Sequence, residues 1–185
     1  MLPQAPYVDT CECADVELEH IYSYIGSSSK QNLLYLHDGS LLFNSGTICV
    51  VHDLQSDKQK FFRQHTEFVS AFALFPFQAQ NIVASSQVGS DARICIWNTA
   101  SMKLIGMLQG SSSEESPQQD SARVFPLFLE AGVRDVSFSK EGKRLVALGD
   151  DAACSLVIHE CASKTDESKW TRSRFIASTR VQPAG

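Results

Sequence analysis

The chain has 185 residues, 43% of them hydrophobic, and a formal net charge of −5 at pH 7. This hydrophobic content is enough for a domain with a buried core, and it excludes a chain that is disordered throughout. Proteins that grip the nucleic-acid backbone are usually basic, so no nucleic-acid partner is expected.

The N-terminal stretch, residues 1–18, is predicted to be an acidic, flexible leader. It contains no Lys or Arg and no long apolar run, so it does not have the pattern of a signal peptide. No segment reaches the roughly 20 apolar residues that span a membrane, and no membrane association is expected. Without secretion, the six cysteines are expected to be reduced thiols.

Only one cluster in this region resembles a set of metal ligands. Cys11-x-Cys13 together with His20 supplies three candidate ligands, but the spacing is not that of paired zinc ligands and a fourth ligand is missing. We therefore interpret these thiols as solvated, and no metal or cofactor is expected. Cys49, Cys95, Cys154 and Cys161 lie in or beside apolar runs and are predicted to be small core residues.

After the leader, the chain is a series of short apolar runs separated by turn residues. The runs Asn32–Leu36, Ser40–Phe43 and Thr47–Asp53 are joined by Asp-Gly and Ser-Gly dipeptides. Such dipeptides between apolar runs are hairpin signals. No stretch has a convincing helical period, so an all-β sandwich, barrel or propeller is predicted.

An internal repeat favours the propeller. Residues 48–53 (ICVVHD), 93–98 (RICIWN) and 155–160 (SLVIHE) each form an apolar strand that ends in a ring and then an acid or amide. The first two segments start 45 residues apart, about the length of one four-stranded blade. The next interval is 62 residues, and a polar loop at 110–124 accounts for most of the excess.

The repeat predicts an all-β, incomplete β-propeller of about three four-stranded blades. The propeller segment is placed at 19–176, with blades at about 19–64, 65–109 and 125–176, followed by a flexible tail at 177–185. Rings usually need about four to eight blades to close, and unpaired blade edges invite pairing with another chain. The chain is therefore expected to be an open piece of a larger propeller protein.

The central unit carries a set of polar residues that is typical of a WD repeat. His65, Ser85, Asp91 and Trp97 are predicted to form one hydrogen-bonded chain, and 32 residues separate His65 from Trp97. An indole N–H only donates, a hydroxyl can relay, and an imidazole can accept on one side and donate to a carboxylate on the other. The two neighbouring units have His52 and His159 in place of Trp97, so their networks are expected to be weaker or absent.

Longer stretches resemble the echinoderm microtubule-associated-protein-like family. The run LEHIYSYIGSSSKQNLLYLHDGSLLFNSGTICVVHD, residues 18–53, is similar to the hydrophobic entry motif of its propeller. KQKFFRQHT and VASSQVGSDARICIWNT are similar to later family segments. The sequence departs from the family pattern at Ser23, Ile25, Gln64, Asn98, His159 and Glu160.

The resemblance implies a WD-repeat module that associates with tubulin or microtubules. It also implies a location in the cytoplasm and cytoskeleton, with cilia or flagella as a special case. Lys58, Lys60 and Arg63 could face the acidic surface of tubulin, although an ordinary solvated strand face would have the same pattern.

Two other classes of function are alternatives to tubulin binding. A general WD-repeat scaffold would bind other proteins through blade edges or a propeller face. An enzyme is not expected, because the sequence has no G-x-S-x-G nucleophile elbow, P-loop or dinucleotide-binding glycine motif.

Overall fold

The structure is a computed structural model that describes residues 17–24, 31–77, 81–110, 123–127, 129, 131–161 and 173–180, the last eight and residues 123–126 and 161 by their backbone alone. Most of the predicted leader, with Cys11 and Cys13, lies outside these ranges, as do residues 111–122 of the predicted polar loop and the end of the predicted tail. Among the described residues, no helix could cross a membrane.

Thirteen strands lie in the described ranges, and they form three sheets in chain order. We call the sheets the first, central and third blades. The strands are β1 (Leu33–Tyr35), β2 (Leu41–Ser45), β3 (Ile48–Asp53), β4 (Lys58–Phe62), β5 (Val69–Leu74), β6 (Ile82–Gln87), β7 (Arg93–Asn98), β8 (Leu104–Gln109), β9 (Arg123–Pro126), β10 (Val133–Phe138), β11 (Arg144–Gly149), β12 (Ser155–Cys161) and β13 (Ser173–Arg180).

Each blade is an antiparallel meander of four strands. The first contains β1–β4, the central β5–β8 and the third β10–β13, each in sequence order. The prediction of an all-β chain with about three four-stranded blades is confirmed.

The central blade is buried on both faces because its strands alternate two apolar sets. Phe72, Cys95 and Trp97 pack with residues of the first blade. Ala71 and Ile94 point the other way and pack with the third blade. Since successive side chains on a strand point to opposite faces, one apolar run supplies both interfaces.

The backbone repeats as well as the sequence. The first strand of the central blade has a register shift after Val69, and the third blade has one after Val133. A second shift comes directly before Trp97 in the central blade and before His159 in the third. The central and third blades therefore share the same backbone irregularities as well as the same strand order.

The central blade has a fifth strand that the sequence did not predict. β9 pairs in parallel with β8, so residues 123 and 124 of the predicted polar loop lie in a strand. Val124 and Phe125, where the predicted loop ends, are apolar, and the free edge of β8 offers unpaired backbone groups. Backbone pairing at this edge is a sufficient reason for the loop to end earlier than predicted.

The described N-terminal residues 17–24, called the entry segment, lie against the first blade. The backbone N–H of Ile21 donates to Gln59 Oε1 at 2.8 Å, and Gln59 Nε2 donates to the Ile21 carbonyl at 3.2 Å. The rings of Tyr24 and Phe43 meet edge to face with centroids 6.5 Å apart. The segment therefore covers part of the face that points away from the central blade.

The third blade approaches the backbone of the central blade closely at Gly132. A Cβ added there would lie 2.5 Å from the Gly89 backbone nitrogen and 2.6 Å from the Val88 carbonyl carbon. We expect Gly132→Ala to lower the free energy of unfolding by about 2 kcal/mol, because neither backbone can give way without moving a blade. Urea denaturation followed by circular dichroism measures the change.

Gly39→Ala is the matched control. Gly39 has a φ of +84° and no atom within 4 Å of an added Cβ, so only the backbone conformation is penalised, by about 1 kcal/mol. A result in which Gly132→Ala is no more destabilising than Gly39→Ala would contradict the close approach of the two blades at Gly132.

Candidate functional site

A chain of buried hydrogen bonds crosses the central blade. Trp97 Nε1 donates to Ser85 Oγ at 3.0 Å, and Ser85 Oγ lies 2.7 Å from His65 Nε2. All three side chains are buried. Trp97 belongs to β7, Ser85 to β6 and His65 to the turn before β5, so the chain connects three parts of one blade.

The hydrogen-bond partner on the other side of the His65 ring, at Nδ1, differs from the prediction. His65 Nδ1 lies 2.8 Å from Gln87 Oε1, whereas the sequence predicts the Asp91 carboxylate as its partner. Gln87 in turn donates from Nε2 to Thr66 Oγ1 at 3.0 Å and to the Asp91 carbonyl at 2.7 Å. Sequence reasoning missed Gln87, although its place two residues after Ser85 puts both side chains on the same face of β6.

Asp91 anchors the outer part of the network. Its Oδ2 accepts from Thr66 Oγ1 at 3.0 Å and pairs with the Arg93 guanidinium at 2.7 Å. Its Oδ1 accepts from Gln109 Nε2 at 3.1 Å. The carboxylate thus joins the turn before β5 to β7 and β8 and reaches His65 only through Gln87 and Thr66.

These contacts fix the protonation of His65. A glutamine Oε1 only accepts, so Nδ1 carries the proton, and Nε2 accepts from the Ser85 hydroxyl. This is the neutral ring. The pKa of His65 is lowered to about 4: burial is the largest cause and the Arg93 charge acts in the same direction, whereas the Gln87 hydrogen bond opposes them.

Trp97 also connects two blades. Its ring stacks on Phe62 of the first blade, with centroids 4.2 Å apart and planes 5° from parallel. Trp97 is fully buried and Phe62 nearly so. The same side chain therefore closes the hydrogen-bond chain inside its own blade and fills the interface with the preceding one.

The first blade cannot form the same chain of hydrogen bonds. His52 stands where Trp97 does, and the strand register places Phe43 at the position of Ser85. Phenylalanine has no hydroxyl to relay a hydrogen bond. His52 Nε2 instead lies 2.9 Å from Asp57 Oδ1, in the turn after β3.

The third blade also lacks both the tryptophan and the serine of this hydrogen-bond chain. His159 stands at the tryptophan position, and the register places Ala147 at the position of Ser85. His159 is buried, and burial lowers its pKa, while a hydrogen bond with the Leu127 backbone opposes the change. Among the described residues, the tryptophan–serine–histidine chain therefore occurs in the central blade alone.

Two of the four cysteines predicted to be core residues are buried beside this network. Burial raises the pKa of the Cys95 thiol to about 12 and holds that of Cys49 well above its usual value. Cys154 is half-buried, and the side chain of Cys161 is not described.

We expect Cys49 and Cys95 to be inert toward a thiol reagent in the native chain. Only thiolates react, so alkylation at pH 8 should be about 100-fold slower or more than in urea-unfolded chain. Mass spectrometry of peptides after timed alkylation measures this site by site, with the half-buried Cys154 as the internal comparison. Equal rates at Cys95 and Cys154 would contradict the burial of this core.

The predicted basic residues Lys58, Lys60 and Arg63 lie on or directly after β4, the outermost strand of the first blade, and are exposed. We call them the basic edge. Lys60 Nζ donates to the Ala100 carbonyl at 3.2 Å, and the Arg63 guanidinium lies 5.6 Å from the centre of the Phe61 ring. The basic edge forms a row of charge and not a pocket for one small anion.

A second surface was not predicted. Tyr22, Tyr24, Leu33 and Tyr35 are exposed on or beside the outward face of the first blade, Leu33 by 50% and Tyr35 by 68%. We call them the outer aromatic surface. The alternation in the run LLYL would have revealed it, because Leu34 and Leu36 pack inward and leave Leu33 and Tyr35 on the opposite face.

Comparison with solved structures decides the fold. A chain in the crystal structure of the mitotic checkpoint complex matches with a TM-score of 0.58 and 18% identity over 82% of this chain and 40% of that one. The Cps50 (Swd1) β-propeller domain of Myceliophteria thermophila matches with a TM-score of 0.53 and 11% identity over 84% of this chain and 41% of that one. The fold is that of an incomplete WD-repeat β-propeller.

No protein-family model matches the chain. The propeller segment spans about two fifths of the length of each of the two similar structures. At these identities the likeness concerns the fold, and function has to be argued from this chain's own surface.

Proposed function

We propose that this chain is a non-enzymatic protein-interaction module built on a WD-repeat propeller segment. The observation that carries the proposal is the outer aromatic surface. In a propeller the face of one blade normally packs on the next, but here Leu33 and Tyr35 remain exposed on such a face. Contiguous exposed aromatic and apolar side chains mark protein-binding sites on soluble proteins.

Paired variants test this surface. Leu33→Ser/Tyr35→Ser should abolish capture of a defined protein partner from lysate, while Phe68→Ser should leave capture unchanged. Phe68 is 59% exposed and directly precedes β5, the first strand of the central blade, so it is not part of the outer aromatic surface. Equal capture by both variants would reject the outer aromatic surface as the binding site.

Tubulin or microtubules are the partner that the family resemblance suggests. The basic edge supports this choice, because an exposed row of positive charge can meet the acidic surface of tubulin. On this proposal the module works in the cytoplasm on the cytoskeleton, including cilia or flagella. The alternative is the same scaffold with a protein partner other than tubulin.

Co-sedimentation with microtubules distinguishes a tubulin partner from another protein partner. The wild-type chain should pellet with them, and replacing all three residues of the basic edge by Glu should weaken binding at least about tenfold, since several charge contacts are reversed. Lys140→Glu/Lys143→Glu/Arg144→Glu makes the same change of charge on exposed residues of the third blade and should have little effect. A wild-type chain that neither pellets nor shifts with soluble tubulin would reject tubulin and leave the scaffold with another partner.

A further inference from the structure

Two histidines and one aspartate converge where the entry segment crosses the first blade. His52 lies on the outward face of β3, and Asp57 follows it in the β3–β4 turn. His20 comes from the entry segment, which the paired hydrogen bonds between Ile21 and Gln59 hold in place. Neither the fold nor the proposed binding function uses this cluster.

The ligand-bearing atoms of the three residues all lie within 4.8 Å of one another. His52 Nε2 is 2.9 Å from Asp57 Oδ1, and His20 Nε2 is 3.8 Å from the same oxygen. A tetrahedral zinc site with bonds of about 2.0–2.1 Å places neighbouring ligand atoms about 3.3 Å apart. The observed separations lie on either side of that value, so small side-chain movements would bring all three atoms onto one ion.

Hydrogen bonding alone does not account for the arrangement. The distance of 3.8 Å between His20 and Asp57 is too long for a hydrogen bond. The opposite nitrogen, His20 Nδ1, is enclosed and has no hydrogen-bond partner among the described residues. Among the described residues, Nε2 is therefore the nitrogen of this ring that has a polar neighbour, the Asp57 carboxylate.

There is also room for a further ligand. A surface cleft of about 690 Å³ borders the cluster and is lined by Glu17, Glu19, His20 and Asp57 among others. A water molecule or a glutamate carboxylate from the entry segment could complete four-coordination there.

We propose that His20, His52 and Asp57 bind a divalent transition-metal ion of the zinc type and thereby clamp the entry segment onto the first blade. Imidazole nitrogens with one carboxylate suit zinc, whereas magnesium prefers oxygen ligands and keeps its waters. Asp57 has a φ of +54°, a conformation that Asp and Asn tolerate better than most residues. Asp57→Asn is therefore a conservative test of the carboxylate.

The test is calorimetric titration of the tag-free, reduced full chain with zinc chloride, and with magnesium chloride as the negative probe. We expect one zinc ion per chain and no magnesium binding. His20→Ala and Asp57→Asn should each weaken zinc binding at least about tenfold, since the loss of even a supporting partner at metal sites commonly costs 10–100-fold. His37→Ala, at an exposed histidine in the turn between β1 and β2, should bind like wild type.

Cys11 and Cys13 are the competing ligands, and two observations separate them from the proposed site. Cys11→Ser/Cys13→Ser should retain zinc binding, and cobalt in place of zinc should show a tetrahedral spectrum without thiolate-to-metal charge transfer. Zinc binding that survives Asp57→Asn unchanged, or that is lost in the cysteine variant, would overturn the proposal. Asp57 is largely exposed, with a side chain 83% accessible, so failure of this variant to fold is not expected.

Discussion

Trp97→Ala is expected to lower the free energy of unfolding by about 4 kcal/mol, the usual range for removing a large buried aromatic side chain. Trp97 is fully buried, stacks on Phe62 and donates to Ser85. Truncation would leave a cavity between two blades and a serine hydroxyl without its indole donor. Urea denaturation followed by circular dichroism gives the change directly.

Two further variants show how much of this loss of stability comes from the indole N–H and how much from burial of the ring. Trp97→Phe keeps an aromatic ring at the interface but removes the N–H, and should cost about 1–2 kcal/mol. Tyr22→Ala removes an aromatic ring that is 91% exposed and should cost less than about 0.5 kcal/mol. If Trp97→Ala lowered the free energy of unfolding no more than Tyr22→Ala, a main role for Trp97 in packing the first blade on the central blade would be contradicted.

Acidification from pH 6.5 to pH 4 is expected to remove about 3 kcal/mol of stability through His65 alone. The pKa of His65 falls from its usual 6.5 to about 4 in the folded chain. Between these values the unfolded chain binds a proton that the folded chain does not, so stability falls as the pH is lowered and is regained as it rises. Burial lowers the pKa of His159 too, and this adds a change of the same sign.

His65→Gln separates this effect from the general titration of carboxylates. The variant should be less stable at pH 7 but should show a shallower dependence on pH between 6.5 and 5, where carboxylates with ordinary pKa values are still ionised. His37→Gln changes an exposed histidine and should keep the wild-type slope. Unfolding free energies measured at half-unit pH steps would contradict the account if the His65→Gln slope matched that of wild type.

The sequence allowed the fold to be predicted because a repeat is a local signal. The ring residues His52, Trp97 and His159 recur at the end of the third strand of each blade, and each strand alternates as a pleated sheet requires. His65, Ser85 and Trp97 could be placed in one network because an indole, a hydroxyl and an imidazole have complementary hydrogen-bonding capacities. Such inferences need only spacing and side-chain chemistry.

What the sequence could not provide depends on distances in space. Gln87 and Asp91 are both suitable acceptors for His65 Nδ1, and only the position of the turn after β6 favours Gln87. The pairing of β9 with β8 joins segments separated by a polar stretch that has no apolar pattern. In the sequence, His20 stands near Cys11 and Cys13, whereas the fold brings it to His52 and Asp57, more than 30 residues away in the chain.

The described residues form a row of propeller blades in which the central blade is buried on both faces and held together by the His65–Ser85–Trp97 hydrogen bonds. Amide hydrogen exchange on the unmodified chain, resolved by residue with NMR, is the decisive measurement of this arrangement. We expect the slowest exchange in β6 and β7, whose side chains are almost all buried, and faster exchange in β1 and β4 at the edges of the first blade. Protection in β1 and β4 equal to or greater than that in β6 and β7 would contradict it.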